Sequence, residues 1–389
     1  MADFKALAAE NQGYVVEMRR YFHKHPELSR KEVETSRKVC SELEKMGVPY
    51  KAYPDYTVTA VIDSGKPGKT VLIRGDMDAL PVQENTGLEF SSCVSGVGHM
   101  CGHDCHTAML LGIAKSLMSA KDGFTGKVIL GFQVAEENLY GANLLKKYVT
   151  EMGGADYSIA LHVGAAMDVG TISLIAGPMA SGVLTYKVTF KGKGGHGSVP
   201  HMSKDPIKPA CEYVLRLASL PSNSYDAQDP IVFSTCSING GTAVNVIPET
   251  AVVTGTVRFF NKNLPGKIEH DIENLAKSIA DSYEIEANVE YLFQTVLPVV
   301  NDKDCIEVGR KVADEMGLNV VTEGKSMGSD DMANLLDAFP GFYAFIGGAN
   351  EKKGIGHVSN HAPNFTVDED CLQIGTEFLM KTAAALLAK

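Results

Sequence analysis

The sequence predicts an α/β fold with a smaller α+β domain inserted into it. Near-continuous apolar runs of strand length, "GKVILGFQV" (126–134), "YSIALHV" (157–163) and "GFYAFIGG" (341–348), alternate with helical stretches. That is the pattern of a sheet covered on both faces. The middle of the chain differs: "GVLTYKVTFKGKG" (182–194) alternates as an amphipathic strand does. The elements there follow the order β-α-β-β-α-β, which suggests a small sheet with helices on one face. The expected division is 1–181 with 298–389 for the α/β domain, and 182–297 for the insertion.

Taken in order, 5–46 reads as two helices. Val15, Met18, Tyr21 and Phe22 form one apolar set, Val39, Leu43 and Met46 another, and Pro26 interrupts them. "TVTAVIDS" (57–64) and "TVLIRGDM" (70–77) are strands joined by the turn "GKPGK". Residues 107–120 are helical, with Leu110, Ile113, Ala114 and Leu117 on one face, and 138–149 is helical after the strand 126–134. In the insertion, strands are expected at 182–194, 231–241, 249–260 and 285–295, with helices at 205–219 and 264–281. A helix follows at 302–316. The last helix runs from about 368 to 388, with Asp368 at its start.

Composition narrows the function. The 389 residues suffice for two cores. Lys and Arg total 36 against 47 Asp and Glu, a net charge of −11 with no basic cluster, which argues against nucleic acid. No apolar run reaches membrane-spanning length, and "MADFKALAAENQ" has no apolar core of a signal peptide. Eight dispersed cysteines in a chain this large do not suggest a disulfide scaffold. These signs point to a cytoplasmic protein with reduced thiols.

The chemistry gathers in four segments: "HMCGHDCHT" (99–107), "ILGFQVAEEN" (129–138), "IALHVG" (159–164) and "HVSNHAPNF" (357–365). Each reads as a strand end or the loop after it, where open α/β sheets build their sites. Cys101, His103, Glu136, Glu137, His162 and His361 can hold two metal ions and leave one carboxylate as a base. Adjacent Glu136 and Glu137 need different partners, one on a metal and one carrying a proton. The plainer alternative is two exposed glutamates opening a helix. Cys101 as a nucleophile would not require so many other His and acidic residues. Asp78 has the reach to fix a ligand imidazole's tautomer, and Asp76 has the same reach. "KGKGGHGSVPH" (191–201) is a loop presenting His196, and "GGTAVNVIPE" (240–249) presents Asn245. Arg258, in the otherwise apolar "TVRFF", suits either a substrate carboxylate or a local salt bridge.

Taken together with "RRYFHKHPELS" (19–29), "RGDMDALPV" (74–82), "GTVRFF" and "GSDDM", these motifs resemble the M20 metallopeptidase family, in its amidohydrolase branch, over nearly the whole chain. The resemblance implies a di-metal α/β catalytic domain with an inserted dimerisation or lid domain, in a homodimer. It implies two divalent ions, zinc or manganese before cobalt or nickel, on Cys101, His103, Glu137, His162 and His361. It makes Glu136 the general base and Asp78 the residue orienting a ligand. His196 would act in the partner's site, and Asn245 and Arg258 would bind the substrate's carboxylate end. The implied substrate is an N-acyl amino acid, with a carboxypeptidase or dipeptidase acting on short peptides as the alternative. Gly197, "GSDDM" and "VGAAMDVG" (163–170) depart from the commonest family pattern, so Met332 and the 164–169 loop are expected to reshape the pocket.

Overall fold

The computed structural model describes residues 2–389. The chain divides into two compact units, the first comprising 1–177, 299–324 and 330–389, the second 178–298 and 325–329. The second unit thus starts four residues before the expected boundary and takes in a short later segment that nothing in the sequence marks.

The first unit opens with helices α1 (Phe4–Lys24) and α2 (Val33–Lys45). Asp3 caps α1 by accepting from Ala6 N at 3.0 Å. Strands β1 (Tyr50–Ala52), β2 (Val58–Asp63) and β3 (Thr70–Asp76) follow. Then come α3 (His103–Ser119), β4 (Lys127–Gln133), α4 (Gly141–Glu151), β5 (Tyr157–Asp168) and β6 (Thr171–Ser173).

In the second unit, β7 (Gly182–Lys191), α5 (Ile207–Leu217), β8 (Ile231–Gly240), β9 (Thr250–Phe259), α6 (Pro265–Ser282) and β10 (Glu286–Tyr291) keep the expected β-α-β-β-α-β order. The antiparallel sheet runs β8-β9-β7-β10. Alternation along β7 turns Leu184, Tyr186, Val188 and Phe190 inward, where Tyr213 and Leu217 of α5 and Ile268 and Ile272 of α6 join them in one buried cluster.

The chain returns to the first unit with α7 (Lys303–Glu315), β11 (Asn319–Val321), α8 (Met332–Ala338), β12 (Gly341–Ala349) and α9 (Asp370–Leu387). Among the described residues its eight-stranded sheet runs β1-β2-β4-β3-β5-β12-β6-β11. β2 and β3, consecutive in sequence, are not neighbours, because β4 lies between them, antiparallel to β2 and parallel to β3. β4, β3, β5 and β12 are consecutive and mutually parallel, so their carboxyl ends share one edge. Helices α1, α3 and α9 pack together against the sheet, and α4 packs with α8. The 164–169 stretch, expected as a loop, continues β5 as far as Asp168, which pairs with Ala349. Met332 is wholly buried at the start of α8.

Candidate metal centre

The site forms where those parallel strands end. Asp78, just beyond β3, is buried. Its backbone carbonyl accepts from His103 Nδ1 at 2.9 Å, and its Oδ1 lies 3.3 Å from the same nitrogen. A proton on Nδ1 leaves the lone pair on Nε2, and that atom is buried with no hydrogen-bond partner. The Asp78 carboxylate also accepts from Glu136 N at 3.1 Å, Glu137 N at 3.0 Å and Ser29 Oγ at 2.6 Å. One side chain therefore fixes both an imidazole and the backbone of the paired glutamates.

His103 is the first residue of α3, not part of a loop. The helix starts there because Gly102 has φ +96°, and a Cβ on it would lie 2.2 Å from Val163 Cγ2. Glycine is the residue that fits both demands. His162 Nδ1 donates to the Val163 carbonyl at 2.8 Å, and its Nε2 lies 3.3 Å from Cys101 Sγ. His361 has φ +70°. Its amide donates to Met100 O at 2.6 Å, and Asn360 Nδ2 reaches Cys101 O at 2.9 Å and Val163 O at 3.2 Å. His361 Nε2 then stands 3.3 Å from Cys101 Sγ and 3.5 Å from Glu137 Oε1.

The donors fall into overlapping triads: Cys101, His103 and His162; Cys101, Glu137 and His361; His103, Glu136 and Glu137. Within each, the donor atoms lie within 4.8 Å of one another. Glu137 Oε1, like His103 Nε2, is buried without a hydrogen-bond partner. Orphaned nitrogen and oxygen atoms beside a buried thiol suit borderline divalent cations. The clusters fit a dinuclear divalent-metal active site.

The electrostatics point the same way. Burial raises Glu136 well above the usual carboxylate range, and Asp330, Glu137 and Asp331 add to it. Burial likewise raises Glu137 and the Cys101 thiol. Burial and neighbouring His106 hold His162 well below the usual imidazole range, hence neutral. Burial is the largest influence on His103 and opposes its charged form, but Asp76, Cys101 and Asp78 together outweigh it and the net shift is well upward. Acids crowded and dried in this way call for cations as charge partners.

Asp76, read from the sequence as having the reach to fix an imidazole, meets that of His106, while His106 and Arg74 escaped the reading. Asp76 accepts from His106 Nδ1 at 2.5 Å, and His106 Nε2 accepts from Val163 N at 2.9 Å, so this pair braces the strand that carries His162. His103 and His106 sit three residues apart on α3, a spacing that shares a helix face and was available as a signal. Arg74, fully buried, ion-pairs with Asp76 at 2.5 Å, Asp331 at 3.0 Å and Asp330 at 3.2 Å, and donates to Gln133 Oε1 at 2.9 Å. The "DD" of "GSDDM" is thereby tied to the strand ends.

The second unit carries the other candidates. His196 is exposed, on a two-residue strand (Gly195–His196) paired with Val246–Ile247. Its Nδ1 accepts from Ser198 N at 3.1 Å and pairs with Ser198 Oγ at 2.8 Å. Gly197 N donates to Asn245 O at 2.8 Å, so the two Gly-rich motifs meet. Arg258, on β9, is half-buried and donates to Ser329 Oγ at 2.7 Å. Ser329 Oγ donates in turn to Ser181 O at 2.7 Å. Burial lowers the Arg258 pKa, and none of the ion pairs found among the described residues gives it a carboxylate.

A buried donor set of this kind at the carboxyl edge of an α/β sheet defines a metal-dependent hydrolase. Residues 72–385 match the peptidase family M20/M25/M40, and the chain belongs to that family. It is 37% identical over 383 residues to thermostable carboxypeptidase 1 of Saccharolobus solfataricus, covering 97% of this chain and 95% of that protein. It is 33% identical to N-acetyl-L-cysteine deacetylase of Bacillus subtilis, covering 96% and 88%. The crystal structure of the YXEP protein of Bacillus subtilis, a dinuclear metal-binding peptidase of the M20 family, superposes with a TM-score of 0.84 at 31% identity, covering 98% and 99%. The protein is a metal-dependent enzyme that hydrolyses amide bonds. Among the described residues no helix is long and apolar enough to cross a membrane.

Proposed function

We propose that the enzyme hydrolyses the amide bond preceding a terminal amino acid with a free carboxylate. Short peptides are the first substrate class and N-acyl amino acids the second. The observation that carries this reading is Arg258: a half-buried guanidinium, anchored by Ser329, whose planar fork suits a carboxylate. The thermostable carboxypeptidase among the relatives supports the peptide class, and the deacetylase supports the acyl class.

Cys101, His103, Glu137, His162 and His361 are the proposed holders of two divalent ions, zinc or manganese. When bound, such ions acidify water and polarise a carbonyl. Glu136 takes the proton of the attacking water and returns it to the leaving amine. Its raised proton affinity suits a group that must hold that proton between the two events. His196 donates from Nε2 to the carbonyl oxygen as negative charge develops. Arg258 and Asn245 hold the substrate's carboxylate. The inserted unit serves as dimerisation domain, and His196 serves the partner's site; its exposure and free Nε2 support that role.

The test is a set of dipeptides and N-acyl amino acids, each with a free or an amidated terminus, offered to zinc- or manganese-loaded protein. Amidation should lower kcat/KM by about 10- to 100-fold, the worth of one charge-assisted contact. Equal cleavage of both forms would overturn the carboxylate requirement.

A further inference from the structure

The proposed mechanism makes no use of Glu32, although its side chain has no exposed surface. Its Oε1 accepts from Ala135 N at 2.7 Å. Its Oε2 is buried with no hydrogen-bond partner. A buried carboxylate satisfied at one oxygen only is costly, and such a group calls for a reason.

The reason lies in the residue it touches. Ala135 joins β4 to Glu136 and Glu137 and has φ +53°, a left-handed conformation that a residue with a Cβ adopts only at a cost. The turn is closed by Leu139 N on Glu136 O at 2.6 Å and by Tyr140 N on Ala135 O at 3.2 Å, and Leu139 is left-handed as well. Such a conformation persists only where its surroundings over-determine it. Three contacts come from outside the turn: Glu32 on the Ala135 amide, and Asp78 on the amides of Glu136 and Glu137. Ser29, three residues before Glu32, donates to Asp78. The segment after "HKHPEL" therefore braces the glutamate turn at two points.

We infer that Glu32 is a positioning residue: its carboxylate locks Ala135 in the left-handed conformation and thereby aims Glu136 and Glu137. The inference rests on the roles given to those two glutamates above. The required feature is an acceptor oxygen at that point, so Glu32→Gln, which retains one, keeps kcat and metal affinity within about threefold. Glu32→Met, of similar volume with no acceptor, loses about 10- to 100-fold in kcat or metal affinity, the usual cost of removing a group that orients a ligand. Ala135→Gly, added to Glu32→Met, restores most of that loss, because glycine takes positive φ without help. A merely structural role for Glu32 would show no such rescue.

The experiment measures kcat, metal affinity by titration of the apo-protein, and melting temperature for these variants beside Glu136→Gln. If Glu136→Gln retains turnover, the assignment of the base fails. If Glu136→Gln is inactive while Glu32→Met keeps both rate and metal affinity, the positioning role alone is overturned. Should Glu32→Met fail to fold, Glu32→Asp decides: its shorter side chain withdraws the oxygen from Ala135, so activity must fall and Ala135→Gly must restore it. Full activity of Glu32→Asp contradicts the inference.

Discussion

The Asp78 carbonyl accepts from His103 Nδ1 at 2.9 Å, while the carboxylate of the same residue accepts from the amides of Glu136 and Glu137. Asp78→Asn keeps the carbonyl but loses one acceptor, leaving a buried amide unpaired. Metal affinity should fall by about 10- to 100-fold, with a matching loss of rate. Calorimetric metal titration checks this; an unchanged affinity would remove Asp78 from the account.

Gly102 separates two proposed ligands. In Gly102→Ala the new methyl meets Val163 and the residue must hold φ +96°. A destabilisation of about 1–3 kcal/mol follows from overpacking, together with loss of bound metal. Thermal melts of the apo-protein and metal analysis of the loaded protein read the two effects separately. Full occupancy would show that the start of α3 is not set by this glycine.

Glu32 supplies a pH signature. Burial, helped by the negative charge of Asp78, pushes its carboxyl from 4.5 up to about 7. Between those values the folded protein holds a proton that the unfolded chain has released. This contribution to stability is therefore present at low pH and is lost as pH rises toward about 7. Glu32→Gln cannot ionise, so its melting temperature should gain on that of the wild type across this window, measured on apo-protein. A constant difference from pH 4.5 to 8 contradicts the shift.

His196 gives the test of subunit cooperation. In a mixed dimer with His196→Ala on one subunit and Glu136→Gln on the other, action across the interface leaves one intact site. About half of the wild-type activity should then return although each parent is nearly inactive. No recovery, or a fully active monomer by light scattering, rules out the shared site.

Much of the site could be read from the chain. His162 and the Glu136–Glu137 pair follow apolar runs of buried-strand length, and parallel strands deliver such residues to one edge. The start of α3 at His103 was missed because it depends on a left-handed Gly102 packed on Val163, a contact distant in sequence. The insertion of β4 between β2 and β3 was hidden because a turn between two strands does not specify that they pair. Glu32, Arg74 and Asp331 escaped because a buried charge is recognised by its partners, and for Arg74 all of these but Asp76 lie 59 to 257 residues away.

Glu136 is the proposed proton carrier, and its neighbours are the proposed holders of the metals. Glu136→Gln preserves shape and removes the proposed base. Metal content and kcat, measured on the same preparation of this variant, test the claim directly. The expected result is two bound ions per chain, as the donor clusters imply, with kcat lowered by about 10²- to 10⁴-fold. Near-normal kcat with both ions bound would contradict it.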